Sequence, residues 1–138
     1  MNKRLLLDTN ILIYSIDADS IFHKESQDLI LNQNFELYTT SKNIAEFLVV
    51  ITKSENIKIN VVEALEILKD LLTFIKILYP TEESTKKFEE LLKKYLPSGL
   101  RIHDFDIVSI GLSYGINQIT TKNIRDFKDI KEIEIINP

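Results

Sequence analysis

Five polar side chains stand where a carboxylate or an amide can do chemistry: Asp8, Glu46, Asp104, Asn123 and Asp126. Asp8 directly follows the apolar run Leu5-Leu6-Leu7, and Glu46 lies one turn into a helical pattern after Phe35–Thr39. Asp104 opens the segment His103–Tyr114, and Asn123 and Asp126 follow Asn117–Thr120. Carboxylates brought within a few ångström repel one another and raise each other's pKa. A hard divalent cation such as magnesium or manganese suits an oxygen-only cluster of this kind. One or two such ions can deprotonate a water and stabilise the charge developing on a phosphodiester. Each residue also has a plainer reading. Asp8 and Asp104 fit as helix N-caps, Glu46 fits as half of a capping box with Asn43, and Asn123 and Asp126 have cap-box spacing too.

The chemistry requires elements that bring these residues to one place. Arg4–Leu7 reads as a short buried strand turning through Asp8-Thr9-Asn10 into a helix over Asn10–Ile16. After the loop Asp17–Ser20, Phe22–Leu31 reads as an amphipathic helix, Phe35–Thr39 as a strand and Ser41–Lys53 as a helix. Val61–Thr73 has the clearest helical stripe, with Val61, Ala64, Leu65, Leu68, Leu71 and Leu72 on one side. Ile75–Leu78 is a strand stopped by Pro80, followed by a charged helix from Thr81 or Glu82 to Tyr95 and a turn at Pro97-Ser98-Gly99. His103–Tyr114 is a helix closed by Gly115, Asn117–Thr120 a fourth strand, Asn123–Phe127 a turn or short helix, and Ile133–Ile136 a fifth strand. Short apolar strands alternating with helices predict a parallel sheet covered on both faces, in one α/β domain spanning residues 1–138. In such sheets ligands bind beyond the carboxyl ends of the strands, where the polar residues above lie.

Composition narrows the chemistry. The 138 residues are 44% hydrophobic and 28% charged, ordinary values for a folded domain with a sizeable core. With no cysteine there is no disulfide, thiolate metal site or cysteine nucleophile, which also fits a reducing compartment. Two histidines leave no histidine-rich metal site, and Gly99, Gly111 and Gly115 cannot be spaced as a dinucleotide fingerprint or a P-loop. The net charge of −4 excludes a broad electropositive footprint, so a nucleic-acid partner must be held by local cations or bound metal. Asp8 ends the first apolar run too early for a signal peptide, and no stretch approaches the ~18 apolar residues of a membrane span. The expected location is the cytoplasm, with no membrane partner.

The motifs resemble those of a known family. Leu5-Leu6-Leu7-Asp8-Thr9-Asn10 resembles the opening hydrophobe-Asp-[Ser/Thr]-Asn motif of PIN-domain nucleases. Asn43-Ile44-Ala45-Glu46 is similar to the second motif, and His103-Asp104-Phe105-Asp106-Ile107-Val108 to the third, with Asp104 at the matching acid. Thr120 to Phe127 resembles the fourth, Thr-x-[Asp/Asn]-x-x-Asp-Phe. The resemblance runs from about residue 4 to residue 136, and the length resembles VapC-type toxins of toxin–antitoxin pairs. It implies a three-layer α/β/α sandwich and a magnesium- or manganese-dependent endoribonuclease, with an RNA substrate and a protein antitoxin. The implied metal ligands are Asp8, Glu46 and Asp104. At the family's fourth acid this chain has Asn123, which departs from the common Asp and leaves the number of metals open. Asn123 can offer its carbonyl oxygen, and Thr9 and Thr121 match hydroxyls lining the site, while Asp126 can supply charge. The resemblance also implies a groove for the antitoxin and part of a homodimer face on helices like Ser41–Lys53 and Val61–Thr73. The consecutive Val49-Val50-Ile51, which cannot all face one core, agrees with this.

Lys122 and Arg125, like Lys42, lie near the motifs and can meet phosphates, or can be solvated surface charge. His103 adjoins Asp104, and Asp106, two residues further along the helix, is expected to point elsewhere. Two rival enzymes are disfavoured. A haloacid-dehalogenase-type phosphatase needs a second Asp where Asn10 stands, and a phospho-receiver domain needs an acceptor Asp where strand three ends in Leu78-Tyr79-Pro80. A catalytically inactive PIN-fold binding module is the remaining alternative, with Asn123 in its favour and the intact Asp8, Glu46 and Asp104 against it.

Overall fold

Leu5, Leu6 and Leu7 are all buried, yet they belong to different cores. Successive side chains of a strand point to opposite faces, so Leu5 and Leu7 enter one apolar cluster and Leu6 enters another. That partition sets the layout of the computed structural model, which describes residues 3–137. Met1, Asn2 and Pro138 of the expected 1–138 domain lie outside the described residues.

The strands are β1 (Lys3–Leu7), β2 (Phe35–Thr40), β3 (Ile75–Leu78), β4 (Gln118–Thr120) and β5 (Glu134–Ile135). They form one sheet in the order β3-β2-β1-β4-β5, with every pairing parallel. The helices are α1 (Thr9–Ile16), α2 (His23–Leu31), α3 (Ser41–Lys53), α4 (Val61–Leu71), α5 (Glu82–Tyr95), α6 (Arg101–Ser113) and α7 (Ile124–Phe127). Side chains from α1 to α4 (Ile11, Leu29, Phe47, Ile51, Ala64 and Leu68) pack with Leu5 and Leu7 on one face. Leu91, Phe105, Val108, Ile110 and Phe127 from α5, α6 and α7 pack with Leu6 on the other. This is the three-layer α/β/α arrangement that the strand–helix alternation predicts.

The chain moves outward from β1 to β2 and β3, then returns to the other side of β1 for β4. The reversal falls between β1 and β4, so the crevice beyond the ends of these two strands is the topological switch point of the sheet. Asp8 and Thr121 leave the sheet there, and the Asp8 N–H donates to the Thr120 carbonyl at 3.1 Å. α6 crosses β1 closely at Gly111, where a Cβ would meet Leu6 Cδ2 at 3.0 Å. It ends in a Schellman motif, with Gly115 at φ +75° and the Ile116 N–H returning to the Gly111 carbonyl at 2.9 Å.

Several element ends differ from expectation for local reasons. α1 begins at Thr9 because Asp8 caps it directly. α4 stops at Leu71, and Thr73 Oγ1 bonds back to the Asp70 carbonyl beyond it. α6 begins at Arg101 rather than His103, with Leu100 in the cap position and no side-chain cap bond. The expected N-cap Asp104 is therefore already inside the helix. In the run Val49-Val50-Ile51, Ile51 enters the core and Val49 is 61% exposed.

Candidate active site

Asp8 is both a cap and a hub. It is 6% exposed. One carboxylate oxygen accepts the Thr9 N–H at 2.9 Å and the Asn43 amide at 3.4 Å. The other accepts the Thr121 hydroxyl at 2.7 Å and the Asn10 amide at 3.4 Å. Four donors from β1's own turn, from α3 and from the end of β4 therefore fix one carboxylate. Burial raises its pKa, the bonds from Thr121 and Thr9 act against that, and the charges of Glu46 and Asp126 add to it.

Glu46 reaches the same place because the capping box of α3 lies elsewhere than expected. Thr40 is the N-cap, its hydroxyl accepting the Asn43 N–H at 3.2 Å, and the Asn43 side chain accepts the Thr40 N–H at 3.2 Å. Asn43 is thus the third residue of the box, and Glu46 has no part in it. Instead Glu46 accepts the Thr9 hydroxyl at 3.0 Å, and Thr9 in turn accepts the Asn43 amide at 2.9 Å. The Thr9 and Thr121 hydroxyls each aim one carboxylate.

Asp104 lies one turn into α6, half-buried, and accepts no hydrogen bond among the described residues. Burial first, then the negative charges of Asp126, Asp8 and Glu46, push its pKa up to about 7, with Arg101 opposing. Asn123 is the N-cap residue of α7 without a side-chain cap bond, and its N–H donates to Thr121 Oγ1 at 2.9 Å. Glu46, Asp104, Asn123 and Asp126 line one cleft of about 740 Å³, together with Lys42, Arg101, His103 and Asp106. The starts of α1, α6 and α7 all lie near this acidic gathering, and the partial positive charge of helix N-termini eases the crowding.

Other candidates lie differently. Lys122 is turned away from the cleft, ion-paired with Glu25 and seated 4.7 Å from the centre of the Phe22 ring. Arg125 is exposed and is not on the lining. Asp106 does line the cleft, opposite to expectation, and faces Lys42 at 3.7 Å. The position about 200° round the helix from Asp104 still counts because the cleft is broad enough to take in both sides of the first two turns of α6. Arg101 belongs to none of the sequence motifs, yet it stands three residues before Asp104, the spacing that puts two helical side chains on one face.

By type the donors fit a hard divalent ion: they are carboxylate and amide oxygens, and Asp104 is a carboxylate with no hydrogen-bond partner in a crowd of negative charge. Among the described residues, no three acidic or histidine side chains already form a ready-made cage for one ion.

Removing the Thr121 hydroxyl isolates the hub. Thr121→Val takes from Asp8 its shortest bond and leaves the Asn123 N–H without its acceptor. The expected loss is about 1–3 kcal/mol in urea unfolding, as for buried polar groups stripped of partners. An unchanged midpoint would mean the hydroxyl is dispensable.

The model of the PIN domain family matches residues 5–133. No curated protein sequence matches the chain. Among solved structures, VapBC2 from Rickettsia felis, bound to a DNA fragment from its promoter, superposes with a TM-score of 0.71 at 23% identity over 98% of each chain. VapBC-1 from nontypeable Haemophilus influenzae gives 0.67 at 25% identity over 97% of each. VapC20 of Mycobacterium tuberculosis, a sarcin-ricin loop cleaving toxin, gives 0.62 at 12% identity over 83% of this chain and 86% of that one.

Proposed function

Because this chain belongs to the PIN domain family, we propose that its acidic cleft is the active site of a metal-dependent endoribonuclease, the toxin of a toxin–antitoxin pair. The observation that carries this reading is the convergence of Asp8, Glu46 and Asp126 on Asp104, whose pKa is pushed up to about 7 first by burial and then by their charges. Such crowding is costly in a merely structural arrangement and useful where a cation must be held.

Asp8, Glu46 and Asp104 would hold the ion, with the Asn123 amide oxygen available beside them. A magnesium or manganese ion there supplies a Lewis acid that lowers the pKa of water and offsets charge building on the phosphodiester. Thr121 and Thr9 hold the Asp8 and Glu46 carboxylates in fixed directions. To hold a cation Asp104 would have to give up its carboxyl proton, so affinity for the ion would rise as pH passes through about 7.

The test is incubation of purified protein with total cellular RNA in magnesium or manganese and in EDTA, beside Asp8→Asn and Asp104→Asn. Discrete products are expected with metal, and none in EDTA or with either variant. A folded wild type that binds metal but cuts nothing would favour the non-catalytic binding module instead. Failure of both cleavage and metal binding would leave the acids a structural role alone, with Asp8 the cap of α1.

Magnesium gives a second readout. At 100 times its dissociation constant a ligand adds about 2.7 kcal/mol to the native state, so magnesium is expected to raise the melting temperature of the wild type well above its effect on Asp104→Asn. Equal shifts in the two proteins would remove Asp104 from the ligand set.

The toxin reading also calls for partners. VapBC complexes are named for two components, and this chain leaves Val49, Val61, Val62 and Leu65 of α3 and α4 roughly half exposed or more. Exposed apolar side chains on two neighbouring helices suit an interaction surface, and we assign them to the antitoxin and a homodimer contact. Light scattering of the chain alone, and co-purification with the product of the adjacent gene, test this. A monomer that captures no such product would count against it. Among the described residues no helix is long and apolar enough to cross a membrane.

A further inference from the structure

Arg101 is an expensive residue to place where it stands. It lines the acidic cleft, and among the described residues it forms no ion pair with Asp104, Asp126 or any other carboxylate. One of its five N–H donors is used, from Nη2 to the Asp126 backbone carbonyl at 2.8 Å. Its Nε is buried without a hydrogen-bond partner. The guanidinium lies 5.5 Å from the centre of the Phe105 ring, a residue fully buried in the core. A carbonyl on one side and a fixed ring on the other thus hold a permanent cation in one orientation while most of its donors are unspent.

Of the other basic groups, His103 lines the cleft and Arg125 is exposed off its lining, while two lysines are committed. Lys42 faces Asp106 at 3.7 Å, and Lys122 is paired with Glu25 on the far side of its loop. An acidic cleft repels a polyanion, so a substrate phosphate entering it needs a cation that the acids have not already neutralised. A planar fork of N–H donors matches phosphate oxygens two at a time.

We infer that Arg101 is the substrate-phosphate contact of this cleft, binding a backbone phosphate of the RNA through its free guanidinium donors while its Nη2 anchors it to the first turn of α7. The inference rests on the nuclease reading above and adds to it the residue that grips the substrate. Arg101 then fixes the register of the strand over the acids that line the cleft.

The test compares wild type with Arg101→Met, which keeps an unbranched stem without the charge, and Arg101→Lys, which keeps the charge without the fork. Retention of labelled total cellular RNA on a filter is measured against KCl concentration, in calcium, and cleavage is measured separately in magnesium. One lost phosphate contact on a single strand makes the slope of log affinity against log salt shallower by about 0.7. Arg101→Met is expected to show that change and to cut about 100-fold more slowly, as when an oriented donor to reacting oxygens is removed. Arg101→Lys is expected to recover the wild-type slope and only part of the rate. If Arg101→Met keeps the wild-type slope while the wild type cuts RNA, the inference is overturned and Arg101 is a structural tie between α6 and α7. If both variants lose melting temperature and rate together with slopes unchanged, the same conclusion follows. A wild type that neither retains nor cuts RNA would overturn the nuclease reading itself, and this inference with it.

Discussion

Asp104→Asn should abolish RNA cleavage and make the metal-free protein more stable. Loss of rate is expected to reach at least about 100-fold, because a ligand to the cation supports several kcal/mol of charge stabilisation and each ~1.4 kcal/mol is tenfold in rate. The gain in stability follows from the direction of the pKa shift. The folded protein holds the Asp104 proton up to about pH 7, against a reference value of 3.8 for the unfolded chain. Between those values the folded state binds more protons than the unfolded one, so ionising Asp104 removes stability as pH rises from about 4 through 7. Asparagine never ionises and escapes that loss. The carboxyl is half-buried and water screens much of its repulsion, so the expected gain at pH 8 is about 1 kcal/mol, or roughly 4 °C in a domain of this size. Thermal melts in EDTA should show the two proteins together near pH 4 and the variant above wild type at pH 8. A variant that melts below wild type at every pH would give Asp104 a structural role.

Asp8→Asn is expected to be equally inactive and to move stability the other way, because the loss of an acceptor for four donors outweighs the relief of a charge that burial, Glu46 and Asp126 disfavour. An ionised carboxylate only accepts, and all four contacts to Asp8 are donors: the Thr9 N–H, the Thr121 hydroxyl and the amides of Asn10 and Asn43. An asparagine must put its NH2 against one pair of them. Facing Thr9 and Asn43, it leaves the first N–H of α1 without an acceptor. Facing Thr121, it meets a hydroxyl that already accepts from Asn10 and Asn123. Either orientation sets donor against donor in a buried site, at about 1–3 kcal/mol. Urea unfolding measures it, and a midpoint equal to wild type would mean the hub rearranges freely. The two substitutions therefore differ as inactive controls: one is the safer choice for structural work, and the other combines lost chemistry with a weakened fold.

Much of this architecture is legible in the chain's own pattern. Leu5-Leu6-Leu7 followed by an acid states both a buried strand and where its carboxyl end leaves the sheet. The alternation of apolar strands with amphipathic helices leads to the parallel sheet and so to the edge where Asp8, Glu46, Asp104 and Asn123 gather. The departures have a common cause, since in each a local rule competes with a contact distant in sequence or with a better local partner. Lys122 sits between Thr121 and Asn123, and adjacency suggests the cleft. Its side chain instead finds Phe22 and Glu25, nearly a hundred residues earlier, a pairing no window of sequence contains. Glu46 and Asn43 have capping-box spacing, but Thr40 offers a hydroxyl one turn sooner and takes the N-cap. Asp104 looks like a cap because the chain before it, Leu100-Arg101-Ile102, has no side chain that caps well. The helix begins there regardless, two residues early, which also carries Arg101 onto the face of Asp104.

The two separate cores have a consequence for how the site is switched on. Asp8 and Glu46 are carried by elements packed with Leu5, Leu7 and Phe47, whereas Asp104 and Asp126 are carried by α6 and α7, packed with Leu6 on the opposite face of the sheet. Neither layer holds all the acids. An excursion that frees α5 and α6 from the sheet leaves β1, α1 and α3 paired and packed, yet dismantles the cleft. Proteins open in such contiguous units below the cost of global unfolding. In native-state hydrogen exchange the α6 amides should therefore report the fraction of molecules competent for chemistry, while the β1 amides report only the fraction that is folded. If the proposed nuclease reading holds, a cation held by acids from both layers would slow exchange in α6 far more than in β1.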